Sequence, residues 1–358
     1  MTNQNPPARI RDRSEIKAIG LLSGGLDSTL AAKLLLDQGL TVIGLNYSTG
    51  FCMNNFRRAL DRPDQASHRV RNEALRAGSD LQFPVEIIDV ADEYIGMVMN
   101  PKHGYGSRMN PCIDCRIFML DKAKQYMKEV GGHFLFTGEV VAQRPMSQHR
   151  PTLRMIEKET DLDGLLLRPL SAQVLPETIP EKRGWVDRNG LLGIHGRGRK
   201  VQIALAEAYG IKEYPQPSGG CCHLTDETFS RRFRDRIAFL NGDQIKSEDL
   251  VLLKVGRHFR LDDGCKAILG RDEVENRFMA GFRNRYWTLE AVEAGSPVTL
   301  LEGKVTDPLV ELAAAMTARY SSHRDREGVE ILCRHPDGSE RIVFSSPMAE
   351  MELERYRI

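Results

Sequence analysis

Two groups of residues in this sequence have types and spacings that can do chemistry. The first is Ser23-Gly24-Gly25-Leu26-Asp27-Ser28, a glycine pair flanked by hydroxyls and one carboxylate. Adjacent glycines let the backbone approach an anion with no Cβ in the way. Unpaired amides at the start of a following helix, with its dipole, favour a phosphate there. Ser23 and Ser28 add hydroxyl donors. Asp27 is repulsive beside phosphates unless it holds Mg²⁺ or orients the loop. The string is not the GxxxxGK[ST] phosphate pattern, and an ordinary Gly-Ser turn is its plain alternative.

The second group is made of thiols. Cys112 and Cys115, within Asn110-Pro111-Cys112-Ile113-Asp114-Cys115, are spaced i, i+3, on one face of a helix's first turn. A helix N-terminus lowers a thiol's pKa, which suits metal ligation or sulfur nucleophilicity. Pro217-Ser218-Gly219-Gly220-Cys221-Cys222 offers two more thiols on a glycine loop. Two thiols from one turn and one from the remote loop would make a three-cysteine site with an open fourth position. Four roles suit these residues: buried packing, a zinc site that all four thiols could close, a redox pair passing through a disulfide or persulfide, and an iron–sulfur cluster. Spacing does not separate zinc from iron. Cys52, Cys265 and Cys333 stand alone and are expected to pack.

These groups need elements to position them. Residues 17–22 read as a buried strand, and residues 29–38 have helical periodicity with Gly39 placed to end it. Residues 41–47 read as a second strand, so the glycine loop sits between strand and helix at the opening of a parallel sheet. The pattern continues with a helix at 69–77, a strand at 85–90, a helix at 111–130 with Asn110 as its cap, a strand at 134–137 and a helix at 199–209. The fold class expected is α/β, a Rossmann-like parallel sheet with helices on both faces, plus a smaller α+β domain. That second domain is announced by β-rich pieces at 250–255, 267–269, 297–301, 329–333 and 341–344 around helices at 272–282 and 308–320. The division expected is a flexible leader at 1–15, a nucleotide domain at 16–235 and an α+β domain at 245–358.

Composition sets outer bounds. The 358 residues are 41% hydrophobic and 28% charged, an ordinary globular mix sufficient for two or three domains. Net charge is only +1, so a nucleic-acid site would have to be a local basic patch. No apolar run is long enough to span a bilayer, and the polar N-terminus lacks the apolar core of a signal peptide. A cytoplasmic location and no membrane partner are expected.

Ser23 to Ser28 resembles the SGGxDS signature of the PP-loop ATP pyrophosphatase superfamily. The resemblance implies that ATP, with Mg²⁺, is split between its α and β phosphates and that AMP passes to a carbonyl oxygen. It implies Ser23, Gly24, Gly25, Asp27 and Ser28 as the ATP loop, Asp27 also as a catalytic residue, and an adenine site against the second strand at Asn46 and Tyr47. Asn110 to Cys115 is similar to the Asn-Pro-Asp-x-x-Cys motif of bacterial tRNA 2-thiouridylases, and Pro217 to Cys222 to their second-cysteine segment. Cys115 and Cys222 thereby match that family's two catalytic cysteines. Cys112 replaces the motif's aspartate, and the third thiol resembles the cluster-dependent tRNA thiolases. In that version Cys112, Cys115 and Cys222 hold a [4Fe–4S] cluster, with Cys221 as an alternative ligand and zinc as the alternative metal. In a persulfide version Cys222 carries the sulfur and Cys115 resolves a disulfide. Residues 137–148 resemble the Gly-Glu, Gln, Ser-Gln stretch of tRNA 4-thiouridine synthases, which adds Gly138 and Gln143 to the ATP site, and Arg168-Pro169-Leu170 matches their Arg-Pro-Leu.

Downstream, Val255-Gly256-Arg257-His258-Phe259-Arg260 and the segment from Gly270 to Asn276 resemble the RNA-binding domain of ribosome-quality-control factors. The resemblance implies Arg257 and Arg271 at RNA phosphates, and Arg144, Arg231 and Arg232 are further RNA-contact candidates. Taken singly, each basic cluster reads as a solvated face. The combined expectation is a tRNA uridine thiolase making 2-thio- or 4-thiouridine, with tRNA and a sulfur donor (sulfide, or sulfur from a cysteine desulfurase) as partners and a homodimer as an open option. Two rivals stand beside it. One is a PP-loop ligase or amidase-type enzyme adenylating a small molecule, with structural zinc at the cysteines. The other is a non-catalytic RNA-binding factor on a retained nucleotide fold.

Overall fold

The computed structural model describes residues 12–52, 72–215, 222–239 and 244–358. Cys221 and most of the glycine loop before it, the start of the helix expected at 69, and most of the leader lie outside the described residues. The chain forms two compact units, Met1–Phe51 with Val70–Cys221 and Cys52–Arg69 with Cys222–Ile358. No helix among the described residues is long and apolar enough to cross a membrane.

In the first unit, β1 (Lys17–Leu21), β2 (Thr41–Ser48), β3 (Val85–Asp89), β4 (Phe134–Thr137) and β5 (Leu166–Leu167) form an all-parallel sheet in the order β3-β2-β1-β4-β5. The central strands are buried on both faces, which is why they read as continuous apolar runs. Ala18, Val42, Phe134 and Phe136 enter one layer with α1 (Leu26–Leu36) and the later helix Lys200–Ala208. Ile19, Leu21, Leu45 and Leu135 enter the other, against the helices Cys112–Glu129 and Arg150–Glu159. The expected parallel sheet with helices on both faces is therefore present. The strand order reverses at β1, with β2 on one side and β4 on the other, so the loops leaving β1 and β4 part at a switch point where such sheets bind ligands.

Three boundaries differ from expectation in ways that matter for the site. Helix α1 starts at Leu26, with extended Gly25 as its cap, so Asp27 and Ser28 belong to its first turn. The helix expected at 69–77 runs over Glu73–Leu81 as α2, capped by Asn72 through its Oδ1 to the amides of Ala74 and Leu75. The thiol helix starts at Cys112 with Pro111 at its cap and no side-chain cap bond, so Asn110 does not cap it. The Asn110 amide is spent instead on sulfur atoms. Two further helices, α3 (Ala91–Met99) and Arg150–Glu159, went unanticipated from periodicity. In chain order the other long helices among the described residues of this unit are α4 (Cys112–Glu129), α5 (Arg150–Glu159) and α6 (Lys200–Ala208).

The second unit is built on a six-stranded antiparallel sheet in the order β11-β10-β8-β9-β7-β6. Its strands are β6 (Arg257–Arg260), β7 (Cys265–Leu269), β8 (Trp287–Ala291), β9 (Thr299–Gly303), β10 (Val329–Arg334) and β11 (Glu340–Ser345). Helix α7 (Glu227–Ala238) precedes them, α8 (Glu273–Ala280) packs on one face and α9 (Asp307–Arg319) on the other. The strand expected at 250–255 is a helical turn, Asp249–Leu252, since a short apolar run does not reveal its own period. Cys265 and Cys333 are buried in the α9 layer, and burial pushes both thiols up to about 11, as packing residues should be. His258 is buried too, its Nε2 lying 2.9 Å from the Val255 carbonyl.

Candidate active site

The glycine loop leaves β1 and is held from two sides. Gly24 has φ +73°, and a Cβ there would lie 2.3 Å from the backbone of Glu73 in the first turn of α2. Gly138, just past β4, is nearly as tight: a Cβ would lie 2.5 Å from the Ser28 amide nitrogen and 2.6 Å from the Asp27 carbonyl carbon. Only glycine lets β4 close over the loop in this way. Ser28 Oγ donates to the Gly25 carbonyl at 2.9 Å and stands 3.4 Å from Ser23 Oγ. The first amides of α1 have no intrahelical partner, as at any helix start.

Three side chains meet beside this loop. Gln143 Nε2 donates to Asp27 Oδ2 at 3.0 Å, and Arg199 Nη2 lies 4.0 Å from Asp27 Oδ1. Ala142, next to Gln143, is held at φ +62°, a left-handed conformation rare for a residue with a Cβ and common at functional loops. Asp27 Oδ1, Gln143 Oε1 and Arg199 Nε are all buried without a hydrogen-bond partner. Buried polar atoms are nearly always satisfied, so three unspent ones around one loop mark room for a polar ligand. They fit ATP and its cation: a guanidinium suits phosphate, and a carboxylate oxygen suits Mg²⁺.

Arg199, just ahead of α6, is not among the ATP-site residues expected from the sequence; it stood out there only as part of the basic cluster 197–200, a candidate RNA-facing surface. Asn46 and Tyr47 do not act as a pair, because successive strand residues face opposite sides. Asn46 faces the loop side, donating to the Leu22 carbonyl at 2.7 Å and accepting from Asn72 Nδ2 at 3.1 Å. Tyr47 packs into the opposite layer, where burial raises its phenol pKa. Its side chain cannot line the same pocket as Asn46.

The thiols Cys112 and Cys115 sit half-buried in the first turn of α4. Buried Asn110 donates Nδ2 toward Cys112 Sγ at 3.2 Å and Met146 Sδ at 3.4 Å, tying the cysteine turn to the loop that carries Gln143. Buried Asp114 accepts the amides of Lys102 and His103, both at 3.0 Å, and pins the preceding loop. Glu139, directly after Gly138, is fully enclosed. Arg116 Nε reaches its Oε1 at 3.0 Å, while Arg168 Nε and Thr137 Oγ1 each reach its Oε2 at 3.1 Å. Burial pushes this carboxyl up, but Arg116 and then Arg168 outweigh it and hold the pKa below the usual range. Arg116 follows Cys115 in the chain, so one carboxylate couples the thiol turn to the end of β4. Sequence reading found the strings holding Glu139 and Arg168 without finding their pairing.

Cys222 belongs to the second unit and has extended backbone, φ −146° and ψ 160°. Among the described residues no group of three or more His, Cys, Asp or Glu side chains is arranged to hold a metal ion. Of the arginines expected at RNA, Arg144 and Arg231 are exposed. Arg232 is a correction. It is buried, with Nη1 donating to the Leu253 carbonyl at 3.1 Å and Nη2 to that of Gly256 at 2.8 Å, and burial brings its pKa down to about 10. The cause is helical phase: Phe229, Arg232 and Phe233 share the inner face of α7. Arg257 donates to the Gly270 carbonyl at 3.2 Å and lies over the Tyr320 ring, and Arg271 is paired with Glu275.

Residues 16–180 match the family model described as the tRNA methyl transferase HUP domain, and residues 256–357 match the NFACT protein RNA binding domain. The tRNA-specific 2-thiouridylase MnmA of Listeria monocytogenes serotype 4a (strain HCC23) aligns at 20% identity over 355 residues, covering 94% of this chain and 89% of that protein. Over most of its length this chain is thus similar to tRNA thiouridylases. The thiouridylase of Syntrophotalea carbinolica (strain DSM 2380 / NBRC 103641 / GraBd1) is 31% identical over 121 residues, 33% of this chain and 32% of its own length. A crystal structure of a 4-thiouridine synthetase–RNA complex with bound ATP is similar at 22% identity and a TM-score of 0.34, over 44% of this chain and 37% of that one.

Proposed function

We infer that this chain is an ATP-dependent tRNA sulfurtransferase that replaces a uridine carbonyl oxygen with sulfur. The observation that carries the reading is the set of unspent polar atoms on Asp27, Gln143 and Arg199 around the SGGLDS loop, in a unit that also carries the two-thiol turn. The amides of residues 24–28 and Arg199 receive the ATP phosphates, and Asp27 would hold Mg²⁺, which when bound draws charge off them. The uridine oxygen attacks the α-phosphate, pyrophosphate leaves, and the adenylated carbon becomes open to sulfur. Gly138 keeps β4 against the loop so that the reacting groups stay in register. The exposed Arg144 and Arg231 and the second unit's RNA-binding domain take the tRNA, in a cytoplasmic enzyme.

Cys112, Cys115 and Cys222 are the soft donors that would hold a [4Fe–4S] cluster, which when bound supplies the incoming sulfur. The Asn110 N–H aimed at Cys112 Sγ suits a metal-bound thiolate, whose potential such contacts tune. A persulfide on Cys222 is the second reading, favoured by the thiol that stands opposite it, Cys52.

The test is nucleoside mass spectrometry on tRNA incubated anaerobically with iron- and sulfide-reconstituted protein, ATP and Mg²⁺. A thiouridine product is expected, and its retention against 2-thio and 4-thio standards identifies the position. AMP release without any thionucleoside would point to an enzyme that adenylates a small molecule. Protein that takes up zinc and no iron, or a fully active Cys112→Ala, rules out the cluster. Gly138→Ala is expected to cut ATP-dependent pyrophosphate release by about 10²-fold, because the added methyl displaces the loop at the reacting centre. An unchanged rate in that variant would show that the loop is not where the phosphates sit.

A further inference from the structure

Sequence reading left Cys52 among the isolated thiols, and the structure changes its standing. Cys52 and Cys222 oppose each other in an antiparallel bridge within the second unit. Opposed residues point their side chains to the same side, with Cβ atoms about 4.5–5.5 Å apart. A disulfide needs them at about 3.5–4.5 Å, so a small closure joins the two sulfurs. Both thiols are half-buried, in contrast to Cys265 and Cys333, which are sealed in the core. The Cys222 backbone is fixed for such a role, its carbonyl accepting from the Thr225 amide at 3.2 Å and from Thr225 Oγ1 at 2.8 Å. The half-buried Lys254 lies near enough to Cys52 for the two to interact electrostatically.

The geometry points to Cys52 as the redox partner of Cys222, the thiol that closes a disulfide with it. This rests on the persulfide form of the reading above, in which Cys222 carries the transferred sulfur. When the outer sulfur of a Cys222 persulfide has bonded to the activated carbon and AMP has left with its oxygen, the Cys52 thiol gives up its proton and attacks Cys222 Sγ. The Cys52–Cys222 bond forms, the bond from Cys222 Sγ to the outer sulfur breaks, and its electron pair leaves on the sulfur of the product. The two thiols are oxidised as the transferred sulfur is reduced, so no outside oxidant is consumed. A dithiol reductant restores the pair for the next turnover. Closed onto Cys52, Cys222 is unavailable to a metal, and the two states exclude each other. Cys115 is then relieved of the resolving role that the family resemblance assigns it.

The experiment is to equilibrate the full chain in oxidised and reduced dithiothreitol buffers, alkylate the remaining thiols, and map the linked peptides by mass spectrometry. A Cys52–Cys222 link is expected, lost completely in Cys52→Ser and in Cys222→Ser, with Cys52→Ala as a second variant should serine disturb the bridge. A Cys115–Cys222 link in its place, or no link at Cys222, overturns the inference. The mapping needs neither tRNA nor ATP, so its outcome is separate from that of the thiolase reading. If the pair closes while no thiouridine is ever made, the pair stands and the thiolase reading falls.

Discussion

Asp27→Ala is expected to slow ATP-dependent pyrophosphate release by about 10²–10³-fold, the usual cost of removing one fixed group that meets developing charge. The fold should tolerate the change. Asp27 Oδ1 makes no hydrogen bond, and Oδ2 is spent only on Gln143, so the carboxylate contributes little to packing or polar satisfaction. A residue that does so little for the fold yet sits in the first turn of α1, within 4.0 Å of Arg199, is held there for something that arrives. Asp27→Asn separates charge from shape, since the amide oxygen can still accept from Gln143. Both variants should lose turnover with a thermal midpoint near that of the parent. Full activity in Asp27→Asn would remove the carboxylate from the phosphate and metal chemistry.

Glu139→Ala should do the opposite, costing stability first. Its carboxylate lies between Arg116 and Arg168, and the Arg168 side chain is itself only 2% exposed. Removing one member of a buried ion group strands the others and typically costs about 3–5 kcal/mol. Arg168 keeps Glu157 as a second partner, which places the expected loss at the lower end. Chemical denaturation of the first unit, followed by its Trp185 fluorescence, should show the midpoint fall. A midpoint equal to the parent's would mean that the arginines find solvent or other partners. The pH dependence has a definite sign. Because the folded-state pKa lies below the ordinary glutamate value, the stabilisation is complete above about 4.3 and is lost as pH falls through the lowered value. The stability gap between parent and Glu139→Gln should therefore be widest near neutral pH and close in acid.

What was legible beforehand followed short-range rules. A strand buried on both faces is an uninterrupted apolar run, so β1, β2 and β4 were readable from residue type alone, and the loop between β1 and α1 followed from them. The arginine run at 231–236 shows where that kind of reading stops. Charge marks a cluster but carries no phase, and only the packing of α7 shows that Arg232 faces inward while Arg231 faces out. Asn110 shows the same limit. An asparagine before a proline-started helix looks like a cap, yet its amide finds the sulfur of Cys112 and of a methionine thirty-six residues away.

By itself, then, the sequence determined the parallel α/β class, the glycine loop between the first strand and helix, and the thiol pair on one helix turn, because each is a local pattern of residue type and spacing. Only the tertiary structure decided that Gln143 and Arg199 meet at Asp27, that Arg116 and Arg168 share Glu139, that Asn46 and Tyr47 face opposite layers, and that Cys52 stands opposite Cys222. The partners in those clusters come from separate segments, and their meeting depends on sheet order, strand register and helix phase. No single segment of the chain carries that information.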